Sequence, residues 1–171
     1  MRITLAELEV RKSVISRTYQ PGTLNFHGTE FQQVKLLRVE EVAELVGGEI
    51  RIRGQLATAI EVPCDRCLTS ATLAVDRGFD LFYRPLRDIP REEEFEIPSA
   101  ELDLAFFSGD GIELADVLTE QVQLAVPMKV VCQPDCKGLC GVCGADRNKV
   151  SCNCREIPSD SPFGSLGKSL T

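Results

Sequence analysis

The chain has no tryptophan, two tyrosines and a single histidine in 171 residues. Without tryptophan, and with so little tyrosine, a broad aromatic platform for stacking unpaired bases is not expected. The lone His27 has no evident charge-relay partner near it in sequence, so a surface or loop role is expected for it rather than ligation or catalysis. Long apolar runs are also missing, and no stretch approaches the roughly 20 residues that a membrane span needs. The opening Met1–Glu7 lacks the apolar core and small-residue cleavage site of a secretory signal, so a cytoplasmic chain with reduced thiols is expected. Positive charge is in deficit. A formal net charge of −7 disfavours indiscriminate phosphate binding. No glycine-rich phosphate loop opens a helix and no serine sits in a nucleophile elbow, so no enzymatic activity and no small-molecule substrate are expected.

Cysteine is abundant by comparison. Eight cysteines fall in two places only: Cys64 and Cys67 form an isolated C-x-x-C pair, while Cys132, Cys136, Cys140, Cys143, Cys152 and Cys154 crowd near the C-terminus. Four thiolates close one structural zinc site, so eight have the arithmetic of two zinc ions. In a reducing compartment, cysteines at such spacings are more often ligands than disulfides. Thioredoxin-like pairs share the C-x-x-C spacing, but theirs opens a helix after a strand, whereas Cys64 and Cys67 lie between two strand patterns. Two partitions are open, and the first is favoured as the more economical. One joins Cys64 and Cys67 to Cys132 and Cys136, leaving Cys140, Cys143, Cys152 and Cys154 together. The other joins Cys132, Cys136, Cys140 and Cys143, leaving Cys64, Cys67, Cys152 and Cys154. All-sulfur sites keep no open position for water, which argues against a catalytic metal.

The rest of the chain reads as an α+β fold. Ile50, Ile52, Gly54, Leu56, Thr58, Ile60 and Val62 alternate with mostly polar residues, the period of a half-buried strand. Gly47-Gly48 before it suits a two-residue hairpin turn from a strand over about Leu36–Val46. Ala71, Leu73, Val75, Phe79, Leu81 and Tyr83 repeat the alternation. The expected architecture is therefore an antiparallel β-meander or partly open barrel, with Cys64–Cys67 at its second bend. Residues 85–100, with three prolines and a run of glutamates, predict an exposed acidic loop. Glu101–Phe106 predicts a further strand. Asp110 and Glu113 have the spacing of a capping pair before one main helix, which Pro127 stops. The expected division is a β-rich body over 1–127, a zinc-binding module docked on it over 128–156, and a flexible tail over 157–171. Residues 1–35 carry no clear pattern.

Charge is segregated along the chain. Residues 91–127 hold ten acids against Arg91, a balance of −9. Residues 128–155 hold Lys129, Lys137, Arg147, Lys149 and Arg155 against Asp135 and Asp146, a balance of +3. Those five cations are candidate nucleic-acid contacts, or they offset the roughly −2 charge of a zinc ion held by four thiolates.

Three stretches taken in order resemble the YceD family, the large ribosomal RNA subunit accumulation proteins. They are Cys64-Asp65-Arg66-Cys67-Leu68 after a strand, the helix ending Leu124-Ala125-Val126-Pro127, and Cys136-Lys137-Gly138-Leu139-Cys140-Gly141-Val142-Cys143-Gly144-Ala145-Asp146-Arg147-Asn148. The resemblance covers about residues 35–155 and extends to Ser161-Pro162-Phe163, Leu166 and Leu170; Arg147 departs from it where the pattern has leucine. It implies a bacterial or plastid factor, not an enzyme, that supports accumulation or processing of large-subunit ribosomal RNA. The implied partners are that RNA or its precursor, or a basic large-subunit ribosomal protein. The matching cysteines become candidate zinc ligands. The alternative function is a thiol-based redox sensor or a zinc donor, which requires an exchangeable cysteine.

Overall fold

The computed structural model describes residues 1–26, 28–88 and 104–154. His27, residues 89–103 and residues 155–171 lie outside the described residues, so of the acidic stretch 85–100 only 85–88 is described. The fold is mixed α+β, mostly sheet with few helices. Two compact units divide the chain, Met1–Val62 with Thr72–Met128, and Pro63–Ala71 with Lys129–Thr171. The bend that carries Cys64 and Cys67 thus belongs to the same unit as the C-terminal cysteines.

In the first unit, β1 (Arg2–Thr4), α1 (Leu5–Val10) and β2 (Ser13–Tyr19) lead to β3 (Gln32–Gln33) and the meander β4 (Leu37–Val46), β5 (Glu49–Pro63) and β6 (Ser70–Pro85). A 3-10 turn at Leu86–Asp88 follows, then β7 (Leu104–Phe107), β8 (Gly111–Glu113) and α2 (Leu114–Ala125). The larger sheet has the order β2-β4-β5-β6-β7, with β3 also on β5; a small sheet pairs β1 with β8. Gly47 and Gly48 turn β4 into β5 with φ of 61° and 91°, values that only residues without a Cβ adopt cheaply.

The alternation expected for the meander is present over most of its length. Leu37, Val39 and Ala43 on β4, Ile50, Ile52 and Leu56 on β5, and Val75, Phe79 and Tyr83 on β6 are buried. It breaks at Thr58, which was expected on the inner face; Ala59 and Ile60 are both buried instead. Two partners of β5 explain this. Arg38 pairs Ala57 and Gln33 pairs Ile60, so four residues on one side face two on the other. The ladder is interrupted there, as at a bulge. The backbone N–H groups of Val34 and Lys35 both donate to Ala59 O, and Thr58 Oγ1 donates to Lys35 O at 3.1 Å.

The Asp110–Glu113 capping pair is corrected. Residues 111–113 are β8, with Ile112 opposite Ile3, and Glu113 precedes α2 in extended backbone with no side-chain cap. Asp110 pairs with Arg2 at 2.7 Å instead. Strand pairing at the helix entrance takes the place of capping. The predicted strand at Glu101–Phe106 corresponds to β7, which begins at Leu104 and runs parallel to β6; residues 101–103 lie outside the described set. The main helix buries Leu114, Val117, Leu118, Gln121 and Val122, one face at helical spacing, and ends before Pro127. Arg77 Nη1 on β6 donates to Leu124 O at 3.1 Å, placing a cation at the negative end of α2. Residues 1–35 contain a capping box that pattern reading passed over: Glu7 N–H donates to Thr4 Oγ1 at 3.3 Å and Thr4 N–H to Glu7 Oε2 at 3.2 Å.

Candidate metal centres

Both groups of four cysteines lie in the second unit, and each is started by the same small loop. In the first loop, Cys64 N–H donates to Thr69 O at 2.9 Å and Leu68 N–H to Cys64 O at 2.8 Å. In the second, Cys140 N–H donates to Ala145 O at 2.8 Å and Gly144 N–H to Cys140 O at 2.9 Å. The fifth residue is left-handed in both, with φ of 61° at Leu68 and 71° at Gly144. Two C-x-x-C segments distant in sequence thus adopt one knuckle, in which the chain folds back on itself around its two cysteines.

Hydrogen bonds fasten the first knuckle to the C-terminal tract. Asp65 N–H donates to Val130 O at 2.9 Å, Val130 N–H donates to an Asp65 carboxylate oxygen, and Leu139 N–H donates to Arg66 O at 2.9 Å. Arg66 Nη1 reaches Cys136 O at 2.9 Å. Gly138 has φ of 72°, and a Cβ there would lie 2.9 Å from Arg66 O, so glycine is needed for this approach. The second knuckle sits on a short hairpin in which Leu139 bridges Asp146 and Arg147 N–H donates to Gly138 O at 2.9 Å.

The sulfurs of Cys64, Cys67, Cys132 and Cys136 lie within 4.8 Å of one another, as do those of Cys140, Cys143, Cys152 and Cys154. This is the first of the two partitions; the second is not seen. A tetrahedron with metal–sulfur bonds of about 2.3 Å has sulfurs about 3.8 Å apart. Cys64 and Cys136 sulfurs are 3.9 Å apart and those of Cys67 and Cys132 are 3.6 Å apart, and all eight cysteines are free. The spacing fits a shared ion.

Charge makes the same point. The Cys64 thiol is drawn down to about 6, chiefly by the Cys132 backbone N–H at 3.3 Å from its sulfur, and Cys67 is lowered chiefly by Thr69. Cys132 is pushed up to about 12, first by desolvation and then by the neighbouring sulfurs. In the second group Cys140 falls to about 6, chiefly through the Cys143 backbone N–H, while Cys154 rises to about 12, chiefly against Cys143, and Cys152 is raised by Cys140. Within each group some sulfurs are prepared as thiolates and others resist a second negative charge beside them. A dication among the four removes that conflict.

Burial separates the groups. Cys64, Cys67 and Cys136 are 0%, 6% and 4% exposed and pack as one cluster with Val131. Cys132 is exposed as a residue, although its sulfur contacts that of Cys67. In the second group only Cys140 is buried; Cys152 is intermediate, and Cys143 and Cys154 are exposed.

Two residues that stand in the family-like stretch, but to which the sequence assigns no role, support the ligands. Asn148 donates through Nδ2 to Cys136 Sγ at 3.4 Å and accepts the Lys137 N–H at 2.8 Å, so a loop that follows the second knuckle orients a sulfur of the first group. Asp146 holds Asn148 in turn. The family-like stretch includes Asn148, but its contact with a sulfur 12 residues away is not legible in the motif. Of the predicted cations, Lys129, Lys137, Arg147 and Lys149 are exposed in this unit, Lys149 pairing with Asp146 at 3.3 Å, and Arg155 lies outside the described residues.

No solved structure matches the chain. Among curated proteins, it is 27% identical over 175 residues to the maize chloroplastic large ribosomal RNA subunit accumulation protein YCED homolog 1, an alignment covering 86% of this chain and 58% of that protein. It is 25% identical over 148 residues to the Arabidopsis thaliana homolog 1, covering 70% and 44%. An uncharacterized protein of Mycobacterium tuberculosis is 32% identical over 127 residues, covering 74% of this chain and 58% of its own. The chain thus spans about half the length of the curated relatives it matches. The family model described as large ribosomal RNA subunit accumulation protein YceD matches residues 52–168, a range that takes in both knuckles and all eight cysteines, and the chain belongs to the YceD family.

Proposed function

We propose that this chain is a non-enzymatic cytoplasmic factor that supports accumulation of large-subunit ribosomal RNA. In this reading it holds two zinc ions and uses the zinc-stabilised module of residues 128–156, joined to the bend at 63–71, as its contact surface. The family carries the ribosomal part of the reading. The two groups of four free cysteines, each begun by a knuckle and with its sulfurs within 4.8 Å of one another, carry the zinc part. Cys64, Cys67, Cys132 and Cys136 would hold one ion and Cys140, Cys143, Cys152 and Cys154 the other, each closed to substrate and so structural.

The contact would be local, because the field is. The described charges of the unit are Arg66, Lys129, Lys137, Arg147 and Lys149 against Asp65, Asp135 and Asp146, a net of +2. Two zinc ions with eight thiolates add about −4. Exposed Lys129, Lys137, Arg147 and Lys149 would therefore meet single phosphates rather than present a broad basic face, with Arg155 as a fifth candidate. A basic large-subunit ribosomal protein is the second partner in this reading, favoured by the acidic segment 91–127, where the balance is −9.

The test is elemental analysis of the native protein together with sedimentation of lysate from cells with and without it. About two zinc ions per chain, co-sedimentation with large-subunit precursors, and a fall in large-subunit ribosomal RNA on deletion are the expected results. A metal-free folded protein would refute the zinc part. Unchanged ribosomal RNA after deletion would refute the ribosomal part. The alternative, a thiol-based redox sensor or zinc donor, gains support from the exposure of Cys143 and Cys154.

A further inference from the structure

Although the knuckles share one backbone pattern, their surroundings differ. The first is held on both sides by Val130 and Leu139, and three of its four cysteines are under 7% exposed in an apolar cluster with Val131. The second is held by its own hairpin, and a Cβ built at Gly141 or Gly144 meets nothing within 4 Å. Two of its four ligands, Cys143 and Cys154, are exposed, and a third, Cys152, is partly so. Between its cysteines lie Gly141 and Val142, both exposed, Val142 by 49%.

A zinc-bound thiolate is removed by a reagent that can approach the sulfur directly, so ligand exchange depends on access as well as on thiolate character. Zinc bound by four sulfurs holds on through all of them, and losing one to a covalent bond weakens the site as a whole. By residue exposure the first group is open at one cysteine, Cys132, and the second at two, Cys143 and Cys154, with Cys152 partly so.

We infer that the group Cys140, Cys143, Cys152 and Cys154 is a modification site for thiol-directed electrophiles, attacked at Cys143 and Cys154, from which zinc leaves while the ion held by Cys64, Cys67, Cys132 and Cys136 stays. This rests on the two-zinc reading above. With a maleimide as the electrophile, the sulfur attacks one carbon of the C=C bond, a C–S bond forms, the π bond breaks, and water supplies the proton to the other carbon. The zinc–sulfur bond is lost in the same exchange. No oxidant is consumed; the water that gave the proton is left as hydroxide, and the ion leaves. The first group works as the permanent clip of the unit and the second as its exchangeable partner.

The test uses the full zinc-loaded chain, limiting N-ethylmaleimide and a chromophoric zinc indicator, with peptide mass spectrometry at each time point. Release of one of the two ions in a separate fast phase is expected, with alkyl groups on Cys143 and Cys154 and none on Cys64, Cys67 or Cys136. Release of both ions in one phase would overturn the inference, as would modification of exposed Cys132 with first-group zinc lost at the same rate. A second arm uses Cys143→Ser, which should be isolated with one zinc ion that lacks the fast phase; loss of both ions in this variant would also overturn it. A wild-type chain isolated without zinc refutes the reading underneath. One isolated with two ions that leave together refutes only the inequality of the sites.

Discussion

Glu41 offers a test of the first unit that involves neither metal nor partner. It lies on β4 opposite Ile15 of β2 and Gly54 of β5, on the inward face, and is 3% exposed. Neither carboxylate oxygen has a hydrogen-bond partner among the described residues. Burial raises its pKa from 4.5 to about 7, only partly opposed by the Arg17 charge. The gap between those values corresponds to about 3 kcal/mol, at about 1.4 kcal/mol per pH unit. The sign follows from linkage: the folded state binds this proton more tightly than the unfolded state does. Below pH 4.5 both states are protonated and Glu41 costs nothing through ionisation; the cost grows between 4.5 and 7 and is complete above 7. Glu41→Gln keeps the shape and stays neutral. It should therefore be more stable than the parent by about 3 kcal/mol at pH 8.5, and by less than about 1 kcal/mol at pH 5. Urea unfolding of both proteins across that range measures it, and subtracting one curve from the other removes the thiolate titrations they share. A difference that does not vary with pH, or a variant less stable at pH 8.5, would refute the argument that an unpaired buried acid opposes folding here.

Leu68 is left-handed where the twin knuckle has Gly144, and its side chain is 67% exposed. Leu68→Gly should relieve strain of about 1–2 kcal/mol, leaving a net gain of roughly 0.5 kcal/mol after the added freedom of the unfolded chain, read from unfolding of the zinc-saturated protein. At Gly54 a Cβ would collide with the Glu40 carbonyl and lie 2.6 Å from Glu41 Cβ, so Gly54→Ala should cost about 1–3 kcal/mol in urea unfolding. Asn148→Ala removes a donor to Cys136 Sγ and should weaken zinc at the first group about 10–100-fold in chelator competition, with the second group unchanged. If Lys129, Lys137, Arg147 and Lys149 make the RNA contact, the plot of log affinity against log salt should have a slope no steeper than about −3, at about 0.7 per phosphate. A steeper slope would show that these four are not the whole surface.

Much of this was legible because it was local. Alternation over Ile50–Leu56 reflects a strand with one buried face, and Gly47-Gly48 reflects a turn that needs two positive φ values. Pairing the cysteines into short steps, two of them C-x-x-C, needed only the reach of a tight loop. Reading failed where distant backbone competed with local preference. Asp110 and Glu113 have capping spacing, but the arrival of β1 makes 111–113 a strand. Thr58 has the parity of an inward residue, but a second partner strand on β5 interrupts the ladder beside it. The capping box at Thr4 and Glu7 was open to sequence reading and was missed because no clear apolar period followed it.

By itself, the sequence determined that there would be a β-meander, a helix stopped at Pro127 and eight cysteines in ligand-like steps, because turns, periodicity and short loops depend on neighbours in the chain. Which sulfurs share a group was decided only in three dimensions. Spacing left two partitions open, and the choice depended on which segments could hydrogen-bond to the bend at Cys64–Cys67. Val130 and Leu139 make those bonds, so Cys132 and Cys136 join the first group and Cys140 is left to begin the second. The difference in burial between the groups has the same origin. It depends on what packs around each knuckle, and two nearly equal C-x-x-C segments cannot record that in their own residues.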